Sequence, residues 1–224
     1  MTFKRARSQE QREIRRQAIL DTAAAMLDEM PVSAVSLNEL SRRVGLAKSN
    51  VLRYFESREA VLLDLLDLAA RTWLAEVTDH MPARIDAGAG PRERSERLAD
   101  ALAASLADHR VLCDLLSAQA AVLEHNVSTE VALRYKHAAL DSLTGFSDLI
   151  RRLLPELDQD AAALAANTAI VLIGALWTHA HPAPAVQAAY DADPALGVLR
   201  LDFTEALGRS LAILLTGLLA RAGH

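Results

Sequence analysis

Residues 36–58, SLNELSRRVGLAKSNVLRYFESR, decide how this chain is read. Ser36 followed three residues later by Glu39 is a capping box, in which each side chain satisfies a free backbone N–H of the other. Val35 before the cap and Leu40 after it are spaced as a hydrophobic staple. The pattern predicts a short helix to Val44 that stops at Gly45, because glycine takes the left-handed conformation of a tight turn without a Cβ clash. A second helix is expected from Lys48 through Tyr54 and Phe55. Leu40, Val44, Leu46, Val51 and Tyr54 are the apolar contacts of the pair, and small Ser41 suits a close crossing. This is the spacing of a helix-turn-helix.

The outward residues of the second helix are Lys48, Ser49, Asn50 and Arg53. They are donors suited to base edges and phosphate oxygens, and a helix N-terminus favours an anion. A solvated polar face on a structural helix pair has the same pattern, so spacing alone leaves DNA binding and a purely structural pair both open.

The run GLAKSNVLRYFESREAVL, residues 45–62, resembles the turn, recognition helix and following helix of the TetR family of bacterial transcription regulators. Residues 18–29, AILDTAAAMLDE, resemble that family's first helix. The likeness covers about residues 10–70 and includes Gly45, Lys48, Tyr54, Phe55, Ser57, Arg58 and Glu59 in register. It implies that Lys48, Tyr54 and Arg58 touch phosphates, while Ser49, Asn50 and Arg53 are candidates to face bases. Arg43 is a further base-contact candidate, and Ser36 is placed with the DNA-contacting set. Three positions depart from the usual pattern. Ala47 stands where Ser or Thr is common, Leu52 where an aromatic is common, and Val44 where Ala is common. Ala47 removes a side-chain cap for the recognition helix.

The remaining chain fits that reading. Its 224 residues are 51% hydrophobic and 24% charged, as in a soluble globular protein of one or two domains. The net charge of −5 is unevenly spread. Residues 1–60 hold 11 Lys and Arg against 8 Asp and Glu, leaving 13 against 21 for the rest. A basic head on an acidic body suits a protein that presents one end to a polyanion. One cysteine, Cys113, excludes an internal disulfide and suits a reducing cytoplasm, where the protein is expected. The N-terminus has no apolar stretch behind its basic residues, so no secretory signal is read there. The apolar run Leu211–Ala220 is about half a membrane span, so no membrane partner is expected.

An all-α fold is predicted throughout. Lys4, Arg5 and Arg7 form a basic arm, and a capping box at Ser8 and Gln11 opens a helix to about Glu29. A long connector helix is expected from Ser57 to about His80, joining a DNA-binding head (1–58) to a helical body (59–224). Residues 81–91 read as a loop, followed by helices at about 91–107, 109–124, 128–153, 159–179 and 201–221. The proline-rich stretch 181–197 is expected to be loop. The helices at 159–179 and 201–221 are apolar on most sides, which predicts burial by a second subunit. The resemblance implies the same homodimer, through a bundle of the last two long helices. It also implies a small-molecule effector among the middle helices, with Trp73, Cys113, Leu116, Gln119, Tyr135, Phe146 and Trp177 as candidate lining.

His179 and His181 are two apart and point to different helix faces, so no metal site is expected; no catalytic spacing or cofactor motif is present either. The expectation is a repressor, not an enzyme, that binds a palindromic double-stranded operator as a dimer and is released by a ligand. An interaction protein of the same fold without DNA binding is the second reading.

Overall fold

A computed structural model describes residues 2–222, with side chains from Gln9 onward. The described residues form helices and turns without a strand. The head consists of α1 (Thr2–Glu29), α2 (Leu37–Val44) and α3 (Lys48–Val51). The connector is α4 (Arg58–Arg84), and the body is α5 (Pro91–Ala107), α6 (Arg110–Ala118), α7 (Thr129–Leu153), α8 (Gln159–Ala180), α9 (Pro184–Ala192) and α10 (Phe203–Ala222).

Sequence caps decide several of these starts. The hydroxyls of Ser57 and Ser128 and the Asp158 carboxylate each accept the backbone N–H three residues on, opening α4, α7 and α8. Each such cap is worth about 1 kcal/mol. Pro91 opens α5 from its first turn, where a missing N–H leaves nothing unsatisfied.

Four boundaries differ from the sequence reading. The first helix runs back to Thr2, so Ser8 lies inside it and opens nothing; the side chains of Lys4, Arg5 and Arg7 lie outside the described residues. The connector continues to Arg84, with Pro82 in its final turn. The helix expected to 124 ends at Ala118 and widens into a π-turn over Gln119–Leu123. The stretch read as loop contains α9 and a 3₁₀ turn at Pro194–Leu199, each opened by a proline. Prolines that read as breakers in sequence are helix starters here, because position one of a helix has no use for its N–H.

The core is continuous from head to body. Ile19, Ala23 and Leu27 of α1 are fully buried with Leu40 and Val51. The same cluster extends through Leu62, Leu66 and Trp73 of α4 into Leu98, Leu102, Leu115 and Ile173. Trp73 meets Phe146 edge to face at 5.2 Å, and its Nε1–H donates to Ser105 Oγ at 3.1 Å. Trp177 meets Phe203 likewise at 4.8 Å, and its Nε1–H donates to Asp114 at 2.6 Å. Buried Arg94 donates to the carbonyls of Leu153 (2.7 Å) and Ala89 (3.1 Å) and pairs with Glu156, fastening α5 to the end of α7.

The helices α8 and α10 are less buried than their composition asks. By length and composition both could cross a membrane, which the run Leu211–Ala220 alone did not suggest. Only 33% and 28% of their apolar windows are buried. Leu164, Asn167, Val171 and Ala175 form one exposed stripe on α8, at i, i+3, i+7 and i+11. Ile213 is 68% exposed on α10, between exposed Arg209 and Gly217.

Candidate nucleic-acid interface and effector cavity

The turn between α2 and α3 is fixed at both ends. Ser36 Oγ accepts the Glu39 N–H at 3.2 Å, half of the expected capping box. The Glu39 carboxylate turns instead to Arg42 (2.6 and 2.9 Å) and Arg43 (2.8 Å), which hold its pKa down at about 2. Gly45 has φ 71°, and its N–H and that of Leu46 return to the Arg42 and Ser41 carbonyls. A Cβ there would be strained by about 1–2 kcal/mol.

The recognition helix is shorter than expected. Regular α-helix covers Lys48–Val51, and the chain then tightens, with Arg53 N–H donating to Asn50 O and Tyr54 N–H to Val51 O. Ala47 occupies the N-cap with no side-chain hydrogen bond, as its methyl group requires. Val51 and Phe55 are buried and hold this short element against the head. Lys48, Ser49, Asn50, Leu52 and Arg53 are exposed, and Tyr54 is half-buried.

Arg43 and Arg58 are differently placed. Arg43, its side chain 25% exposed, is engaged by Glu29 at 2.7 Å and Glu39 at 2.8 Å, joining α2 to α1. Arg58 donates to the Val35 carbonyl at 3.1 Å and lies against Glu59, fastening the start of α4 to the entrance of α2.

A polar cleft of about 540 Å³ opens beside the exposed donors, lined by Asn50, Arg53 and Tyr54 with Gln11, Arg12 and Arg15 of α1. The sequence carried little signal for the α1 residues, since an arginine on an exposed helix face is ordinarily solvated. Arg16, their neighbour, turns the other way: it pairs with Asp64 of α4 and lies 4.6 Å over the Phe55 ring.

The middle of the body holds a second cavity, about 300 Å³. Leu66, Asp67 and Ala70 of α4 line it, with Leu116, Gln119 of the π-turn, residues of α7 from Tyr135 to Leu143, and Asn167 and Ile170 of α8. Of the seven candidates, Leu116, Gln119 and Tyr135 reach it. Trp73, Cys113, Phe146 and Trp177 do not line it and are buried core residues. Cys113 donates to the Leu106 carbonyl at 3.4 Å, and burial pushes its thiol pKa up to about 12, the behaviour of an inert core cysteine. Burial likewise raises the Tyr135 phenol. The Ser142 hydroxyl at this cavity is buried and unpartnered among the described residues. Sequence gave no sign of Ser142, since its role depends on which helices face it.

His181 stacks on Trp177 with ring centroids 3.9 Å apart, and its Nδ1 lies 2.9 Å from the Trp177 carbonyl.

The fold is a helix-turn-helix head on an all-helical body with a cavity among its middle helices. Residues 19–65 match the family of bacterial regulatory proteins, tetR family, and residues 69–222 match the tetracyclin repressor-like C-terminal domain. The chain belongs to the TetR family of bacterial transcription regulators. It is 31% identical over 85 residues to the regulator BetI of Rhizobium meliloti, 38% of this chain and 40% of that one. It is 42% identical over 50 residues to EthR of Mycobacterium tuberculosis, 22% and 23% of the two chains. The matched stretches thus span two fifths or less of these relatives. Among solved structures, a TetR regulator from Rhodococcus sp. RHA1 superposes with a TM-score of 0.58 at 13% identity, over 96% of this chain and 99% of that one. A possible TetR regulator from Streptomyces coelicolor A3(2) gives 0.57 at 21%, over 93% and 100%. At such identities the likeness is one of fold.

Proposed function

We propose that this protein is a cytoplasmic repressor that binds a pseudo-palindromic operator as a homodimer and releases it when a small molecule enters the body. Residues 1–58 are the reader, and 59–224 form the effector-binding and dimerisation domain. The observation that carries the proposal is the cluster of exposed donors, Lys48, Ser49, Asn50 and Arg53, on a short helix whose entry and exit are fixed by Gly45 and Arg58. Ser49, Asn50 and Arg53 face base edges, and Lys48 and Tyr54 face phosphates. Ser36, Arg43 and Arg58 stand at the margin of this surface and each is bonded within the head, so their part is to hold the reader's frame.

The exposed stripes of α8 and α10 support a two-fold dimer, since a second copy removes both from water at once. The effector is a small, largely apolar molecule carrying one hydrogen-bonding group. The lining supports this, with Leu66, Leu116, Leu143 and Ile170 around one unpartnered hydroxyl. Control runs through α4, whose first turn adjoins the reader and whose Leu66, Asp67 and Ala70 line the cavity. A ligand that fits one tilt of α4 better than another shifts the head separation, and one with equal affinity for both shifts nothing.

The test is a gel shift on duplexes selected from genomic fragments. Arg53→Ala is expected to lose about 1–3 kcal/mol on the selected site and relax its specificity, while Lys48→Ala weakens all sequences alike. Unchanged affinity in both variants removes this surface as the reader. A wild type that binds no duplex leaves an interaction protein of the same fold.

A further inference from the structure

The polar cleft at the head joins two elements that belong to different parts of the chain. Gln11, Arg12 and Arg15 sit at i, i+1 and i+4 on α1 and face Asn50, Arg53 and Tyr54 across about 540 Å³. No aliphatic side chain lines it. Three of its six residues are arginines, and among the described residues none of the three is paired with a carboxylate. Among the described residues elsewhere on the head the guanidinium groups lie against carboxylates: Arg16 against Asp64, Arg42 and Arg43 against Glu39, and Arg58 against Glu59. Glu13, the nearest acid in sequence to both Arg12 and Arg15, lines the hollow on the other side of α1 with Arg16 and Asp64. Unneutralised guanidinium groups converging on an open cleft are suited to a polyanion that arrives from outside.

We infer that this cleft seats one sugar–phosphate strand of the duplex. The inference rests on the reader assigned above. With Asn50 and Arg53 in a major groove, the strand bordering that groove passes through the cleft, and the N-terminal half of α1 lies on its far side. Arg12 and Arg15 clamp phosphates, and Gln11 and Tyr54 supply neutral donors to the same strand. The first helix is then a second DNA-contacting element that sets how the reader is seated, and it carries no sequence information of its own.

The experiment compares the full-length wild type with R12A/R15A and R12K/R15K on a selected duplex and on a mixed-sequence duplex of equal length, from 50 to 200 mM salt. Both arginines are exposed, and a matching thermal melt confirms that the variants fold. Two lost contacts per head, four per two-headed complex, make the log–log salt slope of R12A/R15A shallower by about 3.6. The affinity gap from wild type then narrows by roughly 100-fold across that salt range. Both duplexes weaken by the same factor, and R12K/R15K keeps most of the wild-type slope. An unchanged slope in R12A/R15A overturns the clamp while leaving the reader intact. Weakening confined to the selected duplex also overturns it, since the arginines would then read bases. A wild type that binds neither duplex removes the reader and the clamp together.

Discussion

The Ser128 backbone N–H donates to Glu56 Oε1 at 2.6 Å, joining the end of the recognition element to the first turn of α7 across 72 residues of chain. A second link lies beside it, where Asp64 of α4 pairs with Arg16 of α1 and has Arg134 of α7 at 4.0 Å. Head and body therefore touch directly as well as through the connector.

The Glu56 carboxyl lies below its ordinary pKa of 4.5, chiefly through the Ser128 backbone N–H and then the Ser128 side chain. A carboxyl held below its ordinary value stabilises the state that holds it above pH 4.5, and this contribution is lost as pH falls through the depressed pKa. Glu56→Ala is expected to leave the melting temperature nearly unchanged and to reduce the factor by which effector weakens operator binding. Titrating operator with and without effector measures that factor; a coupling equal to wild type removes the tether from the control path.

The exposed face of α8 and α10 makes a sharp distinction between two substitutions. Leu215 is 2% exposed within one subunit, so Leu215→Glu buries a charge and unfolds the chain. Ile213→Glu, at 68% exposure, is expected to keep the subunit folded and, if the proposed dimer forms through this face, to yield monomers with little operator affinity. Light scattering with a thermal melt checks this. A dimer that survives both Ile213→Glu and Val171→Glu places the interface elsewhere.

Ser142→Ala removes the unpartnered hydroxyl from the cavity proposed for the effector. Relieving a buried unsatisfied group is worth up to about 1–3 kcal/mol, so the melting temperature holds or rises. Effector affinity falls if the hydroxyl holds the ligand's polar group. Calorimetry with the identified effector reads it, and equal affinities assign the polar contact to another polar residue of the lining.

Gly174 lets α8 approach α6 closely. A Cβ there meets the Leu116 carbonyl oxygen at 3.0 Å and its carbon at 3.2 Å, and backbone cannot move aside as a flexible side chain can. Overpacking costs about 1–3 kcal/mol, and Ala regains about 1 kcal/mol over Gly inside a helix, so Gly174→Ala is expected to lose up to about 2 kcal/mol of stability. Chemical denaturation measures it, and a gain in stability means that the helices slide apart without strain.

The recognition segment was legible in the sequence because its signals are local. Ser36 capping Glu39, Gly45 turning with φ 71°, and Ser57 capping Ala60 each act within a few residues, so composition and spacing suffice. The all-α class follows from the same local periodicity. The site residues that were missed depend on neighbours far away in sequence. Arg15 and Arg16 are adjacent and indistinguishable as letters, yet one faces Arg53 and the other is held by Asp64, because α1 rotates successive side chains about 100° apart and the fold sets what each meets. Trp73 and Phe146 looked like ligand contacts and are core, while Ser142 looked like nothing and lines the cavity. A cavity is the space that several packed helices fail to fill, so no single segment encodes it. The register in which α4, α6, α7 and α8 settle against one another does.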